Sequence, residues 1–336
     1  MAIKVGINGF GRIGRVVFRI ASADSDIEFV GINDLTDVDM MAHLLKYDSA
    51  YGPFNGTVET KNGNLVVNGK EIKYLSEKDP ANLPWGDMGV DVVLESTGVF
   101  RERGPIQKHL DAGAGKVLLS VPSKSPDDVD ATIVMGVNDE AMTADAKIIS
   151  NASCTTNCLA PMTKAVHDAF GVEEGLMTTI HSYTNDQNLQ DFPHKDMRRA
   201  RAAAVNLIPT STGAAKAIGL VVPDLAGKMN GIAVRTPTIT GSLVDLVCTL
   251  KQDVSVEDVN AAVKAAAEGP MKGVLQYSEE PLVSTDIIAN SHSSIFDSQM
   301  TSKIGEKMFK LISWYDNEYG YSSRCVDLFK RLANQG

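Results

Sequence analysis

Ala2-Ile3-Lys4-Val5-Gly6-Ile7-Asn8-Gly9-Phe10-Gly11-Arg12-Ile13-Gly14-Arg15 is the stretch that decides the fold. Its first six residues form an apolar run suited to a strand. Gly9, Gly11 and Gly14 then stand in Gly-x-Gly-x-x-Gly spacing, and Val16, Val17, Ile20 and Ala21 continue with helical periodicity. In a strand-turn-helix setting such glycines permit a tight turn, the approach of a pyrophosphate to backbone N–H groups, and close helix-strand packing. The spacing also occurs in turns that bind nothing, so its surroundings carry the reading. A second strand-like run, Ile27 to Asn33, ends at Asp34, 20 residues beyond Gly14. An acid at that place suits a ribose hydroxyl and disfavours a 2′-phosphate, which points to NAD over NADP. A solvent-facing turn aspartate is the alternative.

Strand-like runs recur at Leu65 to Val67, Ile72 to Leu75, Val90 to Glu95, Val117 to Val121, Thr132 to Val134 and Ile148 to Ser150. Helix candidates lie between them at Met40 to Lys46, Gly104 to Ala112 and Asp139 to Thr143. This alternation predicts an α/β class domain with a Rossmann-type doubly wound parallel sheet over residues 1–151. Ligands sit at the carboxyl ends of such strands, where Ser96-Thr97-Gly98 and Ser120 stand.

The pattern then changes. Gly175 to Tyr183, Gly231 to Arg235, Leu243 to Leu250 and Lys310 to Tyr315 read as longer strands, several alternating with period two. They predict an α+β domain with a mixed or antiparallel sheet over 152–317. Ser255-Val256-Glu257-Asp258 reads as an N-cap opening a helix to about Glu268. A final helix is expected from Arg324 to Leu332. The polar segment 184–202 is too long for a simple turn and suits a functional or interface role.

Composition bounds the partners. The 336 residues are 43% hydrophobic and 22% charged, ordinary for a globular chain with room for two cores. With 32 basic against 42 acidic residues the net charge is −10, so no nucleic-acid or anionic-membrane surface is advertised. Four scattered cysteines do not form a secreted disulfide framework, the strand-like start shows no leader, and no apolar run reaches the ~20 residues of a membrane span. A cytoplasmic enzyme is the expectation.

Ser150-Asn151-Ala152-Ser153-Cys154-Thr155-Thr156-Asn157-Cys158 carries the chemistry. Ser153 suits a helix N-cap, with Cys154 on the first turn and Pro161 as a possible kink site. Unpaired amides and the helix dipole there are expected to lower the thiol pKa. Read from spacing alone, Cys154 and Cys158 are also acceptable as core residues. No CxxC pair or His-x-x-x-His completes a zinc set, so no metal is expected. His181, 27 residues after Cys154 near a strand end, is the candidate base, although a lone histidine is often structural. Thr184, Arg198, Arg199, Arg201, Thr210, Thr212, Gly213 and Arg235 follow it, with Ser211-Thr212-Gly213 opening a helix from Ala214 to Leu220. Arginines and a helix N-terminus suit a phosphorylated substrate, or are surface charge and capping.

Six motifs, in order, are shared with one family: Gly-Ile-Asn-Gly-Phe-Gly-Arg-Ile-Gly-Arg at 6–15, Asn-Asp-Leu at 33–35, Ala-Ser-Cys-Thr-Thr-Asn at 152–157, His-Ser-Tyr-Thr at 181–184, Pro-Thr-Ser-Thr-Gly-Ala-Ala-Lys at 209–216 and Trp-Tyr-Asp-Asn-Glu-Tyr-Gly-Tyr-Ser at 314–322. The chain resembles the NAD-linked, phosphorylating glyceraldehyde-3-phosphate dehydrogenases over essentially its whole length. The resemblance implies Cys154 as nucleophile and His181 as its activator. It implies cofactor contacts at Gly9, Gly11, Arg12, Ile13, Asp34, Lys78, Ser120 and Asn317, the last orienting the nicotinamide carboxamide. Thr184 and Arg235 correspond to the pocket for the substrate's C3 phosphate. Ser153, Thr155, Thr212 and Gly213, with Arg199 near them, correspond to the pocket for inorganic phosphate. Leu35 and Pro193 are residues of NAD-using members. The implied assembly is a homotetramer in which the 184–202 loop reaches a neighbour, and the implied C-terminal helix, about 318–336, returns to the first domain. The related erythrose-4-phosphate dehydrogenases, and a cofactor-binding protein without turnover, are the competing readings.

Overall fold

The computed structural model describes residues 2–333. These fall into two compact units, one formed by residues 2–133, 140–152 and 322–333, the other by 134–139 and 153–321. Residue 1, and 334–336 of the helix expected to reach 336, lie outside the described residues.

The first unit is built on a nine-stranded sheet. Seven strands are parallel, in the order Ala131–Thr132, Ile148–Ser150, Lys116–Leu119, Val92–Glu95, Ile3–Asn8, Ile27–Asn33, Lys70–Leu75. Asn64–Val67 and Val58–Lys61 extend it as an antiparallel edge. Parallel strands are buried on both faces and need apolar residues throughout. Val5, Ile7, Ile32, Val93, Leu94, Val117 and Leu118 accordingly have no solvent exposure. The chain starts in the middle, builds outward on one side, then returns to build on the other. The strand order therefore reverses between Ile3–Asn8 and Val92–Glu95, which opens a crevice at their carboxyl ends. Register places Asn33 and Glu95 on either side of Asn8 at that crevice.

Helices Val38–Lys46 and Arg103–Asp111 match the expected segments. Residues 139–143 do not: Asp139–Ala141 is a single 3-10 turn, because five residues close too few hydrogen bonds to offset helix nucleation. The strand expected at 132–134 is shorter and earlier, Ala131–Thr132. The helix Tyr319–Ala333 starts five residues before its expected beginning. Its carboxyl end is held in the first unit, where Lys116 Nζ donates to Leu332 O at 2.8 Å and Lys330 pairs with Asp24 at 2.5 Å.

The second unit has an eight-stranded mixed sheet in the order Ile208–Ser211, Met229–Thr236, Val172–Ser182, Ser242–Leu250, Met308–Tyr315, Ser294–Asp297, Leu275–Ser278, with Ser302–Ile304 beside Met308–Tyr315. Ser242–Leu250 alternates buried and half-buried residues without a break, the period-two pattern of a strand with one face inward. The helix Cys154–Phe170 packs on this sheet, and eleven of its residues are buried. It runs unbroken through Pro161. Ser255 caps Val256–Glu268 through a reciprocal capping box with Asp258.

Candidate active site

The crevice of the first unit contains a cavity of about 400 Å³ lined by Gly9, Gly11, Asp34 and Lys78, together with Asn8, Asn33, Leu35, Glu77 and the Ser96–Thr97 turn. The glycines explain its shape. Gly9 has φ +93°, and a Cβ there would lie 2.6 Å from Thr97 N; a Cβ on Gly14 would lie 2.4 Å from Gly9 O. Gly11 faces open space, where a side chain would fill the approach to the helix N-terminus. That helix, Arg12–Ala21, has no side-chain cap and no acid in its first turn, which leaves its positive end to an anion. Arg12 and Ile13 are its first two residues. The Arg12 side chain pairs with buried Asp48 and lies over Tyr51, so its backbone is the part turned to the turn's chemistry. Asp34 accepts from Phe10 N at 2.7 Å and Thr36 N at 2.9 Å, which fixes its carboxylate at the cavity wall. Ser120 is buried at the next strand end and donates its N–H to Glu95 O. These features fit a dinucleotide: a glycine cradle for its pyrophosphate and a fixed acid for its ribose.

In the second unit Ser153 caps the Cys154 helix, its Oγ accepting from Thr156 N at 3.0 Å. Cys154 Sγ lies 3.4 Å from His181 Nε2. His181 sits one residue from the end of Val172–Ser182, and the parallel neighbour Met229–Thr236 places Arg235 directly beside it in register. Arg235 Nη1 is 2.7 Å from His181 Nδ1 and donates to Ser182 O at 3.0 Å; Nδ1 itself is 2.7 Å from Ser182 O. Nδ1 thus stands between a donor and an acceptor. Tyr315, given no role from the sequence, completes the floor: its hydroxyl bonds Thr155 Oγ1 at 2.9 Å and Thr179 Oγ1 at 2.8 Å, and its ring meets the imidazole edge-on. Its signal was present only as a motif residue.

Burial and the adjacent Arg235 charge push the His181 pKa down to about 3, so the imidazole is neutral and able to accept a proton. For Cys154 the shift runs against the expectation. Burial pushes its thiol above the ordinary value, and Arg235 with the Thr155 hydroxyl and amides offsets only part of this. A helix dipole stabilises an anion at its N-terminus, but burial strips that anion of its hydration. The pair is therefore thiol and neutral imidazole, with the proton still to move.

Thr155 is buried against Tyr315. Arg199 is bound to Asp186, to Thr210 Oγ1 at 3.0 Å and to Ser211 O at 3.2 Å, and its charge also reaches His181. Gly213 is the N-cap of Ala214–Val221, whose first N–H bonds Thr212 Oγ1 at 3.2 Å. Thr184 N donates to Gln187 Oε1 at 3.3 Å. Arg235 Nε and Gln187 Nε2 are buried donors with no acceptor, the pattern of a site shaped for an oxyanion. Asn317 belongs to this second unit and not to the glycine cavity; its Oδ1 accepts from Ser242 Oγ at 2.9 Å, which in turn accepts from Ser182 N at 3.1 Å. Among the described residues no group of His, Cys, Asp or Glu is arranged to hold a metal ion, and no helix is long and apolar enough to cross a membrane.

A doubly wound sheet with a glycine cradle, carried on one chain with a thiol-imidazole pair, defines the class of NAD-linked oxidoreductases. Family models narrow this: residues 3–103 match the glyceraldehyde 3-phosphate dehydrogenase NAD binding domain, and residues 153–317 match the glyceraldehyde 3-phosphate dehydrogenase C-terminal domain. The chain is 59% identical over 337 aligned residues to the glyceraldehyde-3-phosphate dehydrogenase of Geobacillus stearothermophilus and 58% identical to glyceraldehyde-3-phosphate dehydrogenase 1 of Bacillus subtilis, covering all of each. It is 57% identical to the Mycobacterium avium enzyme of the same name over 98% of both chains. The chain belongs to the glyceraldehyde 3-phosphate dehydrogenase family.

Proposed function

We infer that the chain oxidises glyceraldehyde 3-phosphate with NAD and phosphate to 1,3-bisphosphoglycerate, a step of glycolysis and of gluconeogenesis in reverse. The single observation that carries the catalytic assignment is Cys154 Sγ at 3.4 Å from a neutral, buried His181. His181 Nε2 takes the thiol proton as sulfur attacks the aldehyde carbon. The base needs its lone pair on Nε2, which requires the ring proton on Nδ1, bonded to Ser182 O. A substrate phosphate that draws the Arg235 guanidinium away from Nδ1 favours this tautomer. The protonated Nε2 then donates to the developing oxyanion and withdraws that proton as the carbonyl re-forms. NAD, when bound, supplies the hydride acceptor. The thioester left on Cys154 is cleaved by inorganic phosphate, which conserves the oxidation energy that hydrolysis would lose.

The glycine cavity supports Gly9, Gly11, Asp34 and Lys78 as cofactor residues, the adjoining uncapped helix N-terminus supports Arg12 and Ile13, the strand-end position supports Ser120, and the fixed Oδ1 of Asn317 leaves its Nδ2 to donate to the carboxamide. Arg235, with its buried unpaired Nε, and Thr184 form the C3 phosphate site. Ser153, Thr155, Thr212 and Gly213 with Arg199 form the inorganic phosphate site. In this reading residues 1–151 are the cofactor domain and 152–317 the catalytic domain. Assembly of the chain with copies of itself, read as a homotetramer, is supported by the exposed apolar side chains of Leu189, Phe192, Met197, Val205 and Leu207 in and after the 184–202 loop; the cytoplasm remains the location we propose.

The test is NADH formation from glyceraldehyde 3-phosphate with phosphate present and omitted. Sustained turnover only with phosphate is expected. Phosphate-independent turnover would place water as the acceptor, and faster turnover of erythrose 4-phosphate would move the chain to the related dehydrogenase.

A further inference from the structure

Beneath the glycine cavity lies a buried polar group that the reaction does not use. Trp85, Glu95 and His109 have no solvent exposure. Trp85 Nε1 donates to His109 Nδ1 at 3.0 Å. An indole N–H can only donate, so Nδ1 must accept and the ring proton sits on Nε2. Nε2 then donates to Glu95 Oε2 at 3.0 Å. Asn8 Nδ2 donates to the same oxygen at 2.6 Å, and Thr97 N and Oγ1 donate to Oε1 at 2.9 and 2.5 Å. Four donors converge on Glu95.

The direction set by one indole propagates into the cavity wall. With Nδ2 committed to Glu95, Asn8 turns Oδ1 to Asn33 Nδ2 at 2.7 Å. Asn33 then accepts from Glu77 N at 2.8 Å and donates to Glu77 O at 2.9 Å. On the other side Thr97 Oγ1 accepts from Val99 N at 3.1 Å. Asn8, Asn33, Glu77, Thr97 and Val99 all line the cavity. Two walls from different parts of the chain are thus tied to one buried carboxyl group whose only ring partner has a fixed proton.

We propose that Trp85 and His109 are positioning residues of the cofactor cavity: by keeping the His109 proton on Nε2 they anchor Glu95, and through it the turns at 77–78 and 96–99 in the shape that receives NAD. This rests on reading the cavity as the NAD site. Without the indole, Nδ1 is left as a buried acceptor with no donor, the ring loses its second tether, and its hold on Glu95 and both turns loosens.

The experiment combines 15N spectra of the His109 ring with NAD dissociation constants from calorimetry for the full-length protein and for Trp85→Phe, His109→Phe and His109→Gln. The wild type is expected to show a protonated Nε2 and a bare Nδ1. Trp85→Phe is expected to shift the Nδ1 resonance as its hydrogen bond is lost and to bind NAD about threefold to tenfold more weakly, the scale of one buried hydrogen bond. His109→Gln, which can still accept from Trp85 and donate to Glu95, is expected to recover most of what His109→Phe loses. The rate of Cys154 alkylation, read in the other unit, is expected to stay unchanged. A wild-type His109 protonated on Nδ1, or a folded Trp85→Phe protein with unaltered NAD affinity, would overturn the proposal even if His109→Phe fails to fold. Asp34→Ala separates the two readings: if it also leaves NAD affinity unchanged the cavity is not the NAD site, whereas weakened binding there with none in Trp85→Phe removes only the positioning role.

Discussion

His181 and His109 are both buried histidines on different units, each bonded through Nδ1, and they differ in what Nδ1 meets. His109 Nδ1 faces an indole N–H that can only donate, so its tautomer is fixed and the residue serves as a strut. His181 Nδ1 lies 2.7 Å from both a guanidinium donor and a carbonyl acceptor, so either tautomer has a partner and its proton can change sides. Burial alone does not distinguish a catalytic histidine from a structural one. The chemistry of the second ring nitrogen's neighbours does.

The largest effects should come from removing the pair that uses the mobile proton. Cys154→Ser is expected to lower turnover by ~10⁴-fold or more while NAD still binds, and His181→Asn by ~10²- to 10⁴-fold. Substantial dehydrogenase activity in Cys154→Ser would end the assignment. His181 also leaves a mark on stability. Its pKa is depressed from 6.5 to about 3, so only the unfolded chain takes up this proton between those values, and its contribution favours folding above pH 6.5 and is lost as pH falls toward 3. The wild type should therefore lose stability relative to His181→Asn as acid is added through that window, measured by denaturant melts; parallel curves would show that His181 is not held neutral.

A smaller effect tests the switch itself. Arg235 lowers the pKa of both its neighbours, and Arg235→Leu should let each rise. The pH profile of Cys154 alkylation should then move upward by about one unit or more, with a higher KM for glyceraldehyde 3-phosphate. An unmoved profile would mean that burial alone sets these values and that the guanidinium has no hold on the imidazole.

Legibility followed the range of each interaction. The nucleotide-binding sheet was readable because strand, glycine spacing and helix are contiguous from Ile3 to Ala21, and the Ser255 capping box because its partners are three residues apart. Cys154 and His181 could be paired from strand-end positions and a motif. The Trp85, Glu95 and His109 group carried no signal, since a tryptophan, a glutamate and a histidine on three separate elements meet only when the sheet forms. The direction of the Cys154 shift was missed for a related reason. A helix dipole is visible in a sequence, whereas the burial that raises the thiol pKa exists only once the chain has folded around it.

The catalytic unit should contain its own strut, and the smallest expected effect tests it. Ser182 N donates to Ser242 Oγ, so that hydroxyl's proton is committed to Asn317 Oδ1, which fixes the amide with Nδ2 outward. Ser242→Ala removes this constraint one residue from His181 without touching the thiol, the imidazole or Arg235. The alkylation rate of Cys154 should hold, while kcat/KM for NAD falls about fivefold, the scale of one buried hydrogen bond. If alkylation slows as well, Ser242 acts on the imidazole through Ser182, and the fixed and mobile protons of this unit belong to one network.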